Sequence, residues 1–206
     1  LTGSTNFSVT GIYVNANHVL VFTDAKVAQQ YEDVFNESWN NNVSVKFADS
    51  PLAATPFSFS GRNAPSMSIT FSPHKKDFAT SNLNTITARI EDKKTSSVFF
   101  AVMALTGGGG TVLKALQSLH SSQTVFSFGI SDSPGGISLY KPGNRKGVLV
   151  TGKPTASKLP PPFNQEKSVG LGHEIHHKFI VCNFNDVNPV VWCGSSNLAE
   201  GGEAAN

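Results

Sequence analysis

The chain has 206 residues, 39% of them hydrophobic, enough to fill the core of one large domain or two small lobes. Charged residues make up only 15% and the formal net charge is +2, too little by itself to argue for a nucleic-acid or membrane partner, though it leaves room for a local cationic pocket. No run of about 18 apolar residues is present, so no transmembrane segment is expected, and two cysteines, Cys182 and Cys193, argue against a disulfide framework or a Cys-rich zinc site.

In chain order, Gly3-Ser4-Thr5-Asn6 comes first and an apolar run of strand type follows at His18–Thr23. Asp24 then offers an N-cap to a helix on which Val27, Tyr31, Val34, Phe35 and Trp39 share one face, which predicts Trp39 in the core. Asn40 to Asn42, and then Ser50 to Pro65 with its prolines and glycine, read as a connection between lobes. Beyond it, Ser68–Ser72 reads as a strand, and Ser81 as the cap of a helix carrying Leu83, Ile86 and Ile90. Val98–Met103 is continuously apolar, as a strand covered on both faces would be. Gly107 to Gly110 lead into a helix marked by Val112, Leu113, Leu116 and Leu119, and Val125–Ile130 is the next strand. Strand, helix and strand in this order predict a parallel unit and an α/β fold. Residues 131–172, rich in Pro and Gly, read as long loops beside a site. Two apolar runs joined by Asn185 to Pro189 then predict an antiparallel hairpin, in which Cys182 and Cys193 would lie nearly opposite each other as buried free thiols. Trp192 is expected in the core, while Lys75-Lys76, Lys93-Lys94 and His74 are expected at the surface.

The stretch from Gly170 to Lys178 admits two chemical readings. His173, Glu174 and His177 form H-E-x-x-H, which binds zinc only if a helix turns both histidines to one side. The flanking Gly170 and Gly172, the β-branched residues after Lys178 and the absence of a third ligand downstream argue against that helix. In an extended chain His176 and Lys178 share a face and His177 points away. An imidazole beside a fixed ammonium can attack phosphorus while the ammonium holds the non-bridging oxygens. The second hairpin strand would bring Ser195 and Asn197 to the same face. Without them, an exposed strand edge would be the preferred reading of His176 and Lys178. Gly-Ser-x-Asn also occurs twice, at 3–6 and 194–197. The glycines at 107–110 lack the residue order of a P-loop and read as a turn.

His176-x-Lys178 followed by Gly194-Ser195-x-Asn197 resembles the second signature of the phospholipase D superfamily, H-x-K, then D, then G-S-x-N. Leu1–Phe7 is similar to the tail of the first signature. Phe71-Ser-Pro-His74 and the glycine-rich turn into Val112–Leu116 are similar to the start of the second lobe in bacterial members. The resemblance implies a phospholipase D-like α/β fold, a mixed or parallel sheet flanked by helices in each of two lobes. Residues 1–49 would be the C-terminal part of the first lobe, 50–65 the connection and 66–206 the second lobe. It implies a hydrolase that cleaves a phosphodiester, in a phospholipid or a nucleic acid, through phosphohistidine and without a metal or other cofactor. His176 would be nucleophile or general acid and Lys178 the phosphate ligand, with Asn197 and Ser195 beside them and Ser4 and Asn6 as matching support from the first half. The signature's Asp is replaced by Asn183, with Asp186 three positions on. The spacing from His176 to Gly194 is longer than the usual pattern by about four residues, attributable to a longer turn. At that spacing the first signature's histidine would fall before Leu1. The expectation is therefore a piece of a two-signature protein, with the second histidine supplied by a homodimer partner or by a missing N-terminal lobe. The alternative is a catalytically incomplete lobe that binds a phosphate-bearing ligand or another protein.

Overall fold

Strand-type and helix-type stretches alternate along the sequence, and the computed structural model of the chain has the mixed α/β architecture this order predicts. It describes residues 1–41, 44–61, 65–104, 110–119, 122–132, 147–151 and 174–205, with the backbone alone at 41, 44, 45 and 147–151. Gly107 to Gly109, His173 and nearly all of the 131–172 loops lie outside the described residues. The elements are β1 (Thr2–Gly3), α1 (Val9–Tyr13), β2 (Val19–Leu20), α2 (Ala25–Asn41), α3 (Ser44–Ala48), α4 (Pro51–Ala54), β3 (Phe57–Phe59), β4 (Met67–Ile69), α5 (Lys76–Glu91), β5 (Ser97–Val102), α6 (Thr111–Leu119), β6 (Phe126–Ser131), β7 (Gly147–Thr151), β8 (Lys178–Cys182), β9 (Val190–Cys193) and α7 (Glu200–Ala204). They form two compact units, one of Leu1, Leu20–Asn82 and Glu200–Asn206, the other of Thr2–Val19 and Leu83–Ala199. The 50–65 segment falls within the first of these, and contains α4 and β3.

The second unit is organised by a five-stranded sheet of order β7-β6-β5-β8-β9. β5, β6 and β7 are parallel, which a crossover through α6 permits, while β8 and β9 run antiparallel. Val98, Phe100 and Val102 of β5 and Ile180 and Cys182 of β8 face one side. There they meet Leu83, Ile86 and Ile90 of α5 and Val112, Leu116 and Leu119 of α6, the helical stripes read from the sequence. The other side is only partly covered at Phe99, which packs edge-on to Phe126 and Phe184. Phe100 also explains a glycine: in the register its partner is Gly129, where a Cβ would overlap the phenyl ring. Trp192 is half-buried against this core.

The hairpin corrects the cysteine expectation. Phe179 pairs with Cys193 and Cys182 with Val190, so the two thiols sit at opposite ends; Cys182 is buried and Cys193 exposed, and both are free. Burial pushes the Cys182 thiol up to about 11, which leaves it an inert core side chain. The turn from 183 to 189 places Asn183, Asn185 and Asn188 at φ 57°, 57° and 54°, the left-handed region that Asn tolerates.

In the first unit Asp24 caps α2, its Oδ1 accepting from the Lys26 and Val27 amides at 2.8 and 3.1 Å. Ser50 and Pro51 start α4 in the same way. Phe47, Ala53 and Phe71 are the core, with Tyr31, Val34, Leu52, Phe57 and Ile69 around them. Trp39, expected inside, is exposed, as is Phe35, on which it stacks at 5.7 Å. The reason is length: seventeen residues make α2 roughly 25 Å long, and this small core reaches only its first half. Ser81 is an exposed residue inside α5 and not its cap, because the helix begins five residues earlier at Lys76. His74, expected at the surface, is buried: Nδ1 donates to the Ala53 carbonyl at 2.7 Å and Nε2 stands 3.7 Å from Glu203, which also accepts from Asn82. A loop that turns inward carries its histidine with it.

Candidate functional site

Pairing of β8 with β5 sets the geometry of the His176-x-Lys178 stretch. Val102 pairs with Lys178, and the ladder continues one step further through the Met103 amide and the His177 carbonyl at 3.0 Å. Along β8, Lys178, Ile180 and Cys182 are buried while Phe179 and Val181 are less so. Strand alternation therefore assigns His176 to the Lys178 side and His177 to the Phe179 side. Ring contacts agree: His177 packs edge-on to Phe179 at 5.4 Å and stacks on His18 at 5.7 Å. Residues 174–177 are extended, with Ile175 in a parallel bridge to Ala16 and its amide donating to Asp132 at 2.8 Å. The helix that an H-E-x-x-H zinc site needs is not formed here, and among the described residues no cluster of three His, Cys, Asp or Glu could hold a metal.

His176 is 8% exposed, and its Nδ1 lies 2.7 Å from the Ser4 carbonyl and 3.0 Å from Asn17 Oδ1. Both partners accept. The Asn17 amide is oriented by its Nδ2, which donates to the Gly11 carbonyl at 2.8 Å, and by the Ser4 hydroxyl, which donates to Oδ1 at 2.9 Å. The Ser4 hydroxyl has its own lone pair occupied by the His18 amide at 3.1 Å, so its proton is committed to Asn17. Nδ1 of His176 must then carry a hydrogen, and in the neutral ring the lone pair sits on Nε2. A fixed tautomer with its lone pair on Nε2 is what an imidazole that attacks through that nitrogen requires.

Lys178 is 3% exposed. Its Nζ donates to the His176 carbonyl at 2.9 Å and stands 3.7 Å from Met103 Sδ, and among the described residues no carboxylate pairs with it. Burial pushes its pKa down to about 8, with the Glu174 carboxylate pulling the other way. A buried ammonium with no counter-ion is costly for the fold and leaves an electrostatic vacancy that an anion would fill. His18 is lowered from the ordinary value chiefly by burial, then by His177 and Lys178, and His177 chiefly by burial, then by Lys178 and His176, so neither adds a positive charge there at neutral pH.

The second Gly-Ser-x-Asn follows β9 at the same end of the hairpin, since the Gly194 amide donates to the Lys178 carbonyl at 3.2 Å. Asn197 is half-buried and its Oδ1 is shielded from solvent without a partner among the described residues, while Ser195 is exposed. Ser4 is bound directly to the imidazole through its carbonyl. Asn6 is exposed, and Asn183 stands elsewhere: five residues along β8 from Lys178, roughly 17 Å away. There its Oδ1 accepts from the Ser96 amide at 2.9 Å and its Nδ2 donates to the Val187 and Lys94 carbonyls at 3.0 and 3.3 Å, closing the turn. Asp186 belongs to the same turn, where hydrogen bonds from Ser96 and Val187 hold its carboxyl below the usual range.

Asn17 and His18 are the residues that motif reasoning passed over. Their one signal was two polar side chains, after Asn15, interrupting an otherwise apolar stretch. No protein-family model, curated protein or solved structure matches this chain.

Proposed function

We propose that the chain carries one half of a phospholipase D-like phosphodiesterase site and that its fold is of that type. The observation that carries the reading is a buried ammonium that pairs with no carboxylate among the described residues, hydrogen-bonded to the backbone of a histidine whose Nδ1 is fixed by two acceptors. A mixed, partly parallel sheet flanked by helices is compatible with the fold the sequence resemblance implies.

In this scheme Nε2 of His176 attacks phosphorus, a P–N bond forms and the P–O bond to the leaving alcohol breaks. Lys178 neutralises the non-bridging oxygens as charge builds on them, and Asn197 and Ser195 offer neutral hydrogen-bonding groups nearby. Ser4 and Asn17 fix the neutral ring as its Nδ1–H tautomer, so that the lone pair lies on Nε2, and the Nδ1 hydrogen bonds stabilise the imidazolium-like phosphohistidine. The leaving oxygen takes a proton from a second histidine, contributed by a homodimer partner or an N-terminal lobe. The second histidine, now deprotonated, takes a proton from water or an acceptor alcohol, whose oxygen attacks phosphorus as the P–N bond breaks and frees His176. None of these steps uses a metal.

The test is hydrolysis of bis(p-nitrophenyl) phosphate in excess EDTA, with His176→Ala as control. Activity that survives EDTA and disappears in the variant is the expected result; activity that is abolished by EDTA, or unaffected by the substitution, would sink the reading. A second reading, a module that binds a phosphate-bearing ligand without cleaving it, is favoured by the near-complete burial of both His176 and Lys178. In that case there is no hydrolysis, but Lys178-dependent binding of a phosphodiester remains.

A further inference from the structure

One loop, Thr2–Val19, grips the extended 174–178 stretch on both of its faces. Ser4 and Asn17 hold the His176 imidazole on one face, while on the other the His18 ring lies against His177. The two imidazoles stack at 5.7 Å with 6° between their planes, and both meet the Phe179 ring edge-on, at 6.3 and 5.4 Å. The loop closes on itself: β1 pairs with β2, the Ser4 amide donates to the His18 carbonyl at 3.0 Å and the His18 amide to the Ser4 hydroxyl at 3.1 Å. A Cβ on Gly3 would overlap the His18 carbonyl oxygen, so this closure needs the glycine. A displacement of His18 therefore carries Asn17, its neighbour, and Ser4 with it.

Both ring nitrogens of His18 and Nδ1 of His177 are shielded from solvent and have no hydrogen-bond partner among the described residues. A metal does not account for them. Imidazole lone pairs lie in the ring plane, so two parallel rings cannot aim them at one ion, and no group of three possible ligands occurs among the described residues. The surroundings disfavour a proton. Lys178 follows His177 directly and bears on both rings, and His176 precedes it. Of the carboxylates on this stretch, Asp132 binds the Ile175 amide at 2.8 Å and Glu174 acts on Lys178; neither forms an ion pair with His18 or His177. We propose that His18 and His177 are a proton-operated latch on the His176 site: with both rings neutral the stack holds the Thr2–Val19 loop against the strand, and a proton on either ring opens it and withdraws Ser4 and Asn17 from His176. The consequence for catalysis rests on the phosphodiesterase reading above; the latch itself does not. Burial first, then the neighbouring histidine and lysine, lower both rings from the ordinary 6.5. The open loop thus binds a proton more readily than the closed one. The closed form is favoured in full above about 6.5 and loses ground as pH falls below it.

The experiment is hydrogen exchange of the Ala16 and His176 amides, whose bonds to the Glu174 and Ala16 carbonyls at 3.0 and 2.9 Å close the loop on the strand. The whole chain is measured at about pH 7.5 and about pH 5.5, with rates corrected for the intrinsic pH dependence of exchange. His18→Phe/His177→Phe keeps two stacked rings and removes the protons. Protection should fall by about tenfold or more on acidification in the natural sequence and stay level in the double variant. The acid limb of bis(p-nitrophenyl) phosphate hydrolysis should be steeper than one proton in the natural sequence, and in the variant one proton steep, from His176 alone. Protection that does not change with pH overturns the proposal. So does an acid loss that persists in the variant, which would assign the titration to His176, Glu174 or Asp132. If the variant does not fold, ¹³Cε1 titration of the natural chain decides: a His18 or His177 ring that gains its proton while Ala16 stays protected overturns the latch, and loss of protection in step with that proton upholds it. A chain that exchanges as expected but hydrolyses nothing at either pH would uphold the latch and refute the enzymatic reading alone.

Discussion

Replacing Lys178 by methionine separates what this residue costs the fold from what it does in the site. Burial lowers its pKa from 10.5 to about 8, so the folded chain disfavours the ammonium by on the order of 3 kcal/mol, at about 1.4 kcal/mol per tenfold. Methionine is similar in length, uncharged, and at home beside the Met103 sulfur that now lies 3.7 Å from Nζ. Against the gain stands the hydrogen bond from Nζ to the His176 carbonyl at 2.9 Å, whose loss costs about 1 to 2 kcal/mol. The variant should therefore be more stable near neutral pH by about 1 to 2 kcal/mol. The sign of the pH dependence follows from the folded value lying below the unfolded one. On raising pH the native lysine gives up its proton first, so the penalty is full below about 8, shrinks between about 8 and 10.5, and is gone above that. The assay is urea unfolding followed by Trp192 fluorescence in a Trp39→Phe background, near pH 7 and near pH 10. A less stable variant at neutral pH, or a difference that is the same at both values, would refute the reasoning. Hydrolysis by the same variant should fall by about a hundredfold to a thousandfold.

Asn183→Asp, which restores the aspartate that the sequence resemblance leads one to expect, should lower stability by about 1 to 3 kcal/mol, because the new carboxylate faces the Lys94 and Val187 carbonyls that Nδ2 now serves. Chemical denaturation measures this, and a faster hydrolysis per folded molecule would return the position to the site. Asn17→Ala should slow hydrolysis by about tenfold to a hundredfold and allow the His176 proton to exchange between ring nitrogens; ¹⁵N shifts of the imidazole report the tautomer, and an unchanged pure Nδ1–H form would contradict the assignment. Gly129→Ala should destabilise by about 1 to 3 kcal/mol by forcing the Phe100 ring aside, and Phe100→Leu in the same chain should recover part of the loss in thermal melts.

Where apolar periodicity and turn chemistry agree, the fold was legible. Val98–Met103 became the central β5, the stripes at Leu83, Ile86 and Ile90 and at Val112, Leu116 and Leu119 became the faces of α5 and α6, and Asp24 capped α2. Periodicity cannot say how far a core extends, and that is why Trp39 was misjudged: it continues the stripe of Val27 and Tyr31 beyond the reach of Phe47 and Phe71. Register is similarly hidden. Cys182 and Cys193 look opposite across a turn centred on Asn185 to Pro189, but the asparagines at positive φ begin the turn at Asn183, and the strands pair two residues away from that symmetry.

For the site, the sequence supplied the chemistry and long-range contacts supplied its orientation. The spacing of His176 and Lys178 is enough to put them on one side of a strand, but which imidazole nitrogen carries the lone pair depends on Ser4 and Asn17, more than 150 positions away. Both of those partners are neutral. A carboxylate at either place would pair with the imidazole as it gained charge and would also offset the neighbouring ammonium, lowering the vacancy that attracts a phosphate. With Asn17 and a backbone carbonyl, the imidazole is oriented at no electrostatic expense to Lys178, which pairs with no carboxylate among the described residues. Asn17→Asp discriminates: the carboxylate should raise the Lys178 pKa from about 8 toward the ordinary range while weakening the affinity for phosphodiester anions. Titration of the lysine ¹³Cε resonance and a competition assay with dimethyl phosphate would measure the two together, and an Asp variant that bound the anion more tightly would show that orientation of His176, and not the charge of Lys178, governs the site.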